Sequence, residues 1–545
     1  MAKSAWAALL PGRLFLYRLI IKNSPAIKII KIVIRCSLAG TLFHHHGYVM
    51  SLKKKAINGA KWSAISSVMT IGLGLLQLTL LARMIDPKQF GLLTIALVIL
   101  TLVDTLSDFG LSNSVIQRKS MSETELSTLY WLNIFIGLVV FAVIYCSSHA
   151  ISALLQQPDL NELIEALSVA FIIIPQGQQF RALLQKELAF TQIGRTEVLA
   201  ALAGFAVTLI SALWSPSALC AIWGYLAMIS VRMLLFCYYG GKIYRPQFVF
   251  ELKSVRSNLR YGGYLTADSL INQLGMNMPT MLLSRLLGAV ATGGYNLAYN
   301  LAVMPPAKLN PILSRVLFPA FAQMQDDRPR LRHNFYKMLS IMSLLNFVAL
   351  LGMAGIAHNL VLSLFGERWL FMVPVLQILS IAGIMRAINN PVGALVMAKG
   401  AVDISSKLNA LRLMLSVPVI WSGAHWGGLM GATVGFTVLQ VLTALMNYFF
   451  LIRPLLGASA KTYFASQWLP LRMALPTLWI SYALGYALEG ITPTTLTLTL
   501  QIAAGGLVWG LMLLGSHDPL VLELKQIVLR KTRPTGTIKN QEKLI

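Results

Sequence analysis

From Trp62 to Gly515 the sequence is a succession of apolar runs separated by short polar links, each run about as long as the hydrocarbon layer of a bilayer is thick. A helix needs about 20 mostly apolar residues to cross that layer, and only helices or closed barrels satisfy their backbone groups there. The runs fall at 62–83, 90–112, 128–148, 162–181, 196–214, 217–240, 261–285, 291–314, 336–358, 370–397, 405–424, 427–451, 469–488 and 495–515. The largest links, around 241–260 and 320–335, are about 15–20 residues, so no soluble catalytic or receptor domain is expected. Composition agrees: 56% of the 545 residues are apolar and 12% charged, where a soluble domain is about 25% charged. Such a chain cannot cover a water-facing surface, which excludes a cytosolic enzyme, a nucleic-acid-binding module and a disordered scaffold. The expected fold is all-α and polytopic, with about 14 transmembrane helices.

A net charge of +25 would suggest nucleic acid in a soluble protein. In a membrane protein, Lys and Arg collect on the cytoplasmic side. With residue 50 placed in the cytoplasm, roughly 31 basic residues fall on inward segments and 4 on outward links (Arg83, Lys88, Arg285, Arg368). A shift of one helix would invert the bias. Both termini are therefore expected in the cytoplasm, and no nucleic-acid partner is expected.

The chain also contains an internal echo. Leu80-Leu81-Ala82-Arg83 precedes Gly91 and Ala96, and Leu282-Leu283-Ser284-Arg285 precedes Gly293 and Ala298 with the same spacings. The sixth run ends at Arg245-Pro246 and the twelfth at Arg453-Pro454. Six is an even number of spans, so both copies enter the bilayer from the same side, as parallel repeats that can rock about a central site. This predicts a basic N-terminal extension (1–49), two six-helix lobes (50–258 and 259–455), a terminal helix pair (456–520) and a basic cytoplasmic tail (521–545). Met50-Ser51-Leu52-Lys53-Lys54-Lys55 has the character of a start leading into the first span, and residues 1–49 then read as a non-native or disordered extension. The alternative is a basic anchor lying on the membrane surface. His44-His45-His46 has no partner ligands, and Cys36, Cys146, Cys220 and Cys237 share no metal or pairing spacing, so no metal site is expected.

Ionisable side chains inside the apolar runs cost on the order of 2.5–3.5 kcal/mol each and mark wet or paired surroundings. Asp104 and Asp108 lie one helical turn apart on the second run, and Asp268 lies on the seventh. Lys308 follows Pro305-Pro306 and precedes Asn310-Pro311; Arg386 precedes Asn389-Asn390-Pro391; Arg232 lies in the sixth run. Prolines leave carbonyls free, as is usual where a helix lines a cavity. Lys308, Arg386 and Arg232, with Asn310 and Asn389, are the candidate lumen residues for an anionic passenger. Asp104, Asp108 and Asp268 are the candidates for a coupling ion. Arg83 and Arg285 occupy equivalent helix ends, where carbonyls or lipid phosphates would hold them. No phosphate-binding loop, His-Glu-x-x-His or nucleophile elbow is present, so transport is expected rather than catalysis, with no catalytic residue and no cofactor.

Several strings recur together in one known group of proteins: Gly59-Ala60-Lys61-Trp62-Ser63, Asp108-Phe109-Gly110-Leu111, Leu184-Gln185-Lys186-Glu187-Leu188-Ala189-Phe190, Val316-Leu317-Phe318-Pro319-Ala320-Phe321 and Leu364-Phe365-Gly366-Glu367-Arg368-Trp369. Over residues 50–530 the chain resembles the polysaccharide-exporter (Wzx-type flippase) family of the multidrug/oligosaccharidyl-lipid/polysaccharide superfamily. The likeness is nearest to members that serve acidic exopolysaccharides such as colanic acid. It implies a bacterial inner-membrane protein that moves undecaprenyl-diphosphate-linked oligosaccharide from the cytoplasmic to the periplasmic leaflet by alternating access. It further implies a proton or sodium gradient as the drive, membrane lipids around the protein, and a polysaccharide polymerase and export machinery as possible partners. The alternatives are a cation-coupled multidrug exporter of the same superfamily and a membrane glycan polymerase or ligase.

Overall fold

A backbone surrounded by hydrocarbon has to close its own hydrogen bonds, and every regular element among the described residues is accordingly helical. The computed structural model describes residues 48–107, 115, 121–457 and 459–530. Its helices are α1 (Tyr48–Met84), α2 (Pro87–Ser107), α3 (Glu123–Leu154), α4 (Leu160–Ser168), α5 (Ala170–Lys186), α6 (Phe190–Trp214), α7 (Ala218–Gly240) and α8 (Leu252–Gln323). There follow α9 (Arg328–Leu364), α10 (Val373–Lys399), α11 (Val402–Asn447), α12 (Arg453–Leu456), α13 (Ala460–Ala487), α14 (Thr494–Gly515) and α15 (Pro519–Arg530). Among the described residues, ten stretches are long and apolar enough to cross a membrane. The readings of His44–His46, of Cys36 and of the last fifteen residues fall outside the described residues.

Local sequence sets the boundaries. The Ser122 hydroxyl accepts from the Glu125 N–H while the Glu125 carboxylate accepts from the Ser122 N–H, a reciprocal cap that starts α3. Asp327 caps α9, whose first turn carries Pro329. The two longest helices are each broken. Gly288 divides α8 at φ 81°, ψ −177°, and Gly428 divides α11 at φ 54°, ψ −138°. Side chains at either backbone setting would clash, so glycine makes the break between the seventh and eighth runs and the one at the start of the twelfth. Exposed Trp426 sits at the second break and exposed Trp214 ends α6, positions suited to the water–lipid boundary.

The first and second halves of the chain are joined where α1 ends and α2 begins. There Gly91 lets α2 approach the backbone of α8 at Ala289, and a buried cluster containing Ile85, Phe90 and Leu92 continues into Leu297, Ala298 and Trp369. Polar contacts reinforce the joint. The Trp369 indole N–H donates to the Ala82 carbonyl at 2.8 Å, and Arg368 pairs with Asp86 at 3.2 Å. Arg83 donates to the Leu364 carbonyl at 2.8 Å and to that of Ser363, at the end of α9. Arg285 does the same for the Leu154 carbonyl at the end of α3. Each guanidinium thus meets the negative end of a helix from the opposite half of the chain.

Candidate functional site

Two cavities open among the helices away from that joint. The first, about 270 Å³, belongs to the second half of the chain. It is lined by Gly275, Met276 and Pro279 of α8, by Arg386 and Asn389 of α10, and by Ser405, Asn409, Arg412, Phe436 and Gln440 of α11, among others. Among the described residues, no carboxylate lines it. Arg386 donates to the Tyr299 hydroxyl at 2.5 Å; Tyr299 stacks on buried Tyr295 and meets Phe436 edge-on. This aromatic wall fixes one side of the guanidinium and leaves its remaining donors toward the cavity. Asn447 donates to Asn389 at 3.0 Å, which orients a second polar group of the lining. Two guanidiniums in one pocket, with no acid among its described lining residues, offer the donors that phosphate or carboxylate oxygens need.

The second cavity, about 540 Å³, belongs to the first half of the chain. Ser63, Ser66, Ser67, Thr70 and Gln77 of α1 form one wall, facing Arg181 of α5, Glu197 of α6 and Arg232 of α7. Here the charges answer one another. Glu197 accepts from Arg232 at 2.9 Å and lies 3.8 Å from Arg181. The Ser67 and Thr70 hydroxyls donate to their own helix, at 2.7 Å to the Ser63 carbonyl and 2.8 Å to that of Ser66, so they present lone pairs to the cavity.

The residues singled out in the sequence are dispersed by the fold. Arg386 and Asn389 line the first cavity and Arg232 the second. Asn310 is buried and accepts from the Asn346 amide at 2.9 Å, lining neither. Asp104 is half-buried on α2, partnered, and also outside both linings. Asp108 lies outside the described residues, as do the side chains of Asp268 and Lys308. Several lining residues escaped notice, Arg412, Glu197 and Gln440 among them. Arg412 counts by position among inward basic residues, yet it falls inside the eleventh apolar run, and that was its signal. Glu197 stands at the start of the fifth run, where it reads as an ordinary helix-end acid. Gln440 carries no signal in one sequence.

The family of polysaccharide biosynthesis proteins matches residues 80–374, more than half of the chain. The chain belongs to this family. Within it, the chain is 52% identical to the lipopolysaccharide biosynthesis protein WzxC of Escherichia coli K12, over 89% of this chain and 98% of that protein. Among solved structures, the lipid II flippase MurJ in an inward closed conformation superposes with a TM-score of 0.66 at 13% identity, covering 86% of this chain and 99% of that one. A multidrug resistance transporter of the MATE family, in the MOP superfamily, gives 0.57 at 16% identity, covering 71% and 96%. At those identities the likeness is one of fold. Together with its ten apolar helices, membership in the family makes the chain a multi-pass membrane protein.

Proposed function

We propose that this protein flips a polyprenyl-diphosphate-linked oligosaccharide of an acidic exopolysaccharide, such as colanic acid, across the bacterial inner membrane by alternating access. Arg386 and Arg412 carry this reading: two guanidiniums in a cavity with no carboxylate among its described lining residues, inside an apolar bundle, suit a visiting anion. Fourteen passes follow if α8 and α11 each cross twice about their glycine breaks and α13 crosses once beside the ten apolar stretches. Six passes then form each lobe, α13 and α14 add the last two, and both termini lie in the cytoplasm. The Arg83 and Arg285 joint becomes the periplasmic closure, and the cavities face the cytoplasmic side where the passenger is made. Asp104, or Asp108 or Asp268, is the place for a coupling proton or sodium ion. A multidrug exporter for cationic drugs would need free carboxylates in a cavity; among the described residues the one that lines either cavity, Glu197, is bound to arginine.

The test is export by an Arg386→Gln/Arg412→Gln variant in cells lacking the native gene. Surface polymer should fall at least tenfold while lipid-linked oligosaccharide accumulates on the inner leaflet, with the protein present at the normal level. Full export by that variant overturns the reading.

A further inference from the structure

The two cavities correspond position by position. Leu73, Gly74 and Gln77 line one, and Gly275, Met276 and Pro279 line the other, each pair 202 residues apart (73 to 275). Helix α6 begins at Phe190 and α11 at Val402; counted from those starts, Ile193, Glu197 and Ala201 coincide with Ser405, Asn409 and Leu413, 212 residues on (193 to 405). Met228 and Arg232 of α7 correspond to Phe436 and Gln440 beyond the break in α11, 208 residues on (228 to 436). The shift of 208 is also that between Arg245-Pro246 and Arg453-Pro454. Within each helix the shift is constant, and between helices it changes by the length of the links. Helical faces of unrelated origin would not keep three such registers and line a cavity in both halves.

Set side by side, the linings differ in charge. Where the first half has Glu197, the second has Asn409; where the first has Arg232, the second has Gln440. The carboxylate of the first cavity holds Arg232 at 2.9 Å and Arg181 at 3.8 Å. In the second cavity the place of that carboxylate is taken by a neutral amide, and among the described residues of the lining no acid holds Arg386 or Arg412. An arginine already bound to a carboxylate gives a phosphate few donors and repels it through that carboxylate.

We infer that the two cavities are copies of one pocket, and that the residue at the position of Glu197 and Asn409 decides which copy accepts a phosphate anion. Asn409 leaves the second cavity open to the diphosphate of the passenger, and Glu197 closes the first cavity to it by occupying Arg181 and Arg232. This rests on the reading of the passenger as a diphosphate-linked glycan and assigns its phosphates to one half of the protein.

The experiment is calorimetric titration of the full-length protein in detergent with inorganic diphosphate, at low ionic strength. The native protein should bind one diphosphate per chain. Asn409→Glu supplies the second cavity with a carboxylate three residues from Arg412, within reach on one helical face, and should weaken binding at least tenfold. Glu197→Asn frees Arg181 and Arg232 and should raise the stoichiometry from one to two; Glu197→Gln, nearly isosteric, should do the same if the asparagine variant unfolds. A native protein that already binds two, a Glu197 variant that folds and still binds one, or an Asn409→Glu variant that binds as the native protein does overturns the inference. A native protein that binds none removes the proposed function with it, whereas one site retained in Glu197→Asn and Glu197→Gln removes the inference alone.

Discussion

Gly91→Ala is the smallest change that tests how the two halves of the chain are held together. A methyl group there would lie 1.8 Å from the Ala289 carbonyl oxygen and 2.4 Å from its carbon. Both are backbone atoms, so no side chain can rotate away, and α2 must withdraw from α8 by about 1.5 Å to restore an ordinary contact. Overpacking of this kind costs about 1–3 kcal/mol. The cost falls on the conformation in which α2 and α8 touch and spares one open at that end. The equilibrium should therefore move toward the open form by roughly 5- to 150-fold. The assay uses a background in which Cys36, Cys146, Cys220 and Cys237 are replaced, with Ser405→Cys as a reporter in the second-half cavity. Intact cells are treated with a membrane-impermeant maleimide, and Gly91→Ala should raise the labelling rate at least fivefold. Gly293→Ala provides a graded control: its methyl would meet Gly91 at 3.1 Å, so the shift should have the same sign and be smaller. Equal labelling rates in the native protein and Gly91→Ala, at equal protein levels, would refute the view that this contact is the closed periplasmic gate.

The arginine contacts make a related prediction. Arg83→Gln and Arg285→Gln each remove a cation from a helix end of the opposite half, worth about 0.3–1 kcal/mol, so each should raise labelling a fewfold in the same assay and the pair should combine nearly additively. Buried Ser127 meets the Tyr244 hydroxyl and accepts from the Gln247 N–H at 3.1 Å, which ties the link after α7 to the start of α3. Ser127→Ala leaves the Gln247 N–H unpaired and the Tyr244 hydroxyl with only its 3.4 Å bond to the Glu123 carbonyl, and should lower stability by about 1–3 kcal/mol, read as a fall in the melting temperature of the purified protein. Burial pushes the Tyr244 phenol above its ordinary range, a shift that the Ser127 contact partly offsets. Its neutral form is thus favoured in the fold, and its contribution is intact below about pH 10 and lost as pH rises further. Asn359 donates to Gln501 at 3.0 Å, and Gln501 in turn donates to the Ser481 carbonyl at 2.7 Å, linking α9, α13 and α14. Gln501→Leu should loosen α14, seen as faster protease cleavage between residues 488 and 494.

What a single sequence discloses here follows the strength of the underlying force. Burying apolar runs in hydrocarbon is a large, local effect, so the ten long apolar helices among the described residues stand where hydropathy marks apolar runs, whereas the glycine breaks in α8 and α11 emerge only from the structure. The equivalence of Arg83 and Arg285 was likewise legible, because a joint that recurs in both halves preserves its residues. The polar linings were harder to read. Glu197 looks like a helix-end acid until α7 brings Arg232 beside it, a meeting of residues on different helices that no local pattern encodes. Asn310 looks like a lumen residue beside its prolines, yet the amide of Asn346 claims it. In both cases a partner on another helix decides the role.

On the reading proposed above, the two halves are copies of one unit, while the passenger carries phosphates at one end and sugars at the other. The symmetry must therefore be broken somewhere, and the structure shows where the correspondence survives. It survives in Gly91 and Gly293, which permit the same close approach, and in Arg83 and Arg285, which hold helix ends of the opposite half. Rocking two bundles needs both members of such pairs, so a change in either disturbs the joint. It lapses at Glu197 and Asn409 and at Arg232 and Gln440, where a substitution alters which ligand is held without moving a helix. Mechanical residues stay paired and chemical residues diverge. On that argument, exchanging the two pairs, with Glu197→Asn/Arg232→Gln in the first half and Asn409→Glu/Gln440→Arg in the second, should give a protein that folds and opens as before but no longer binds diphosphate in its second-half cavity.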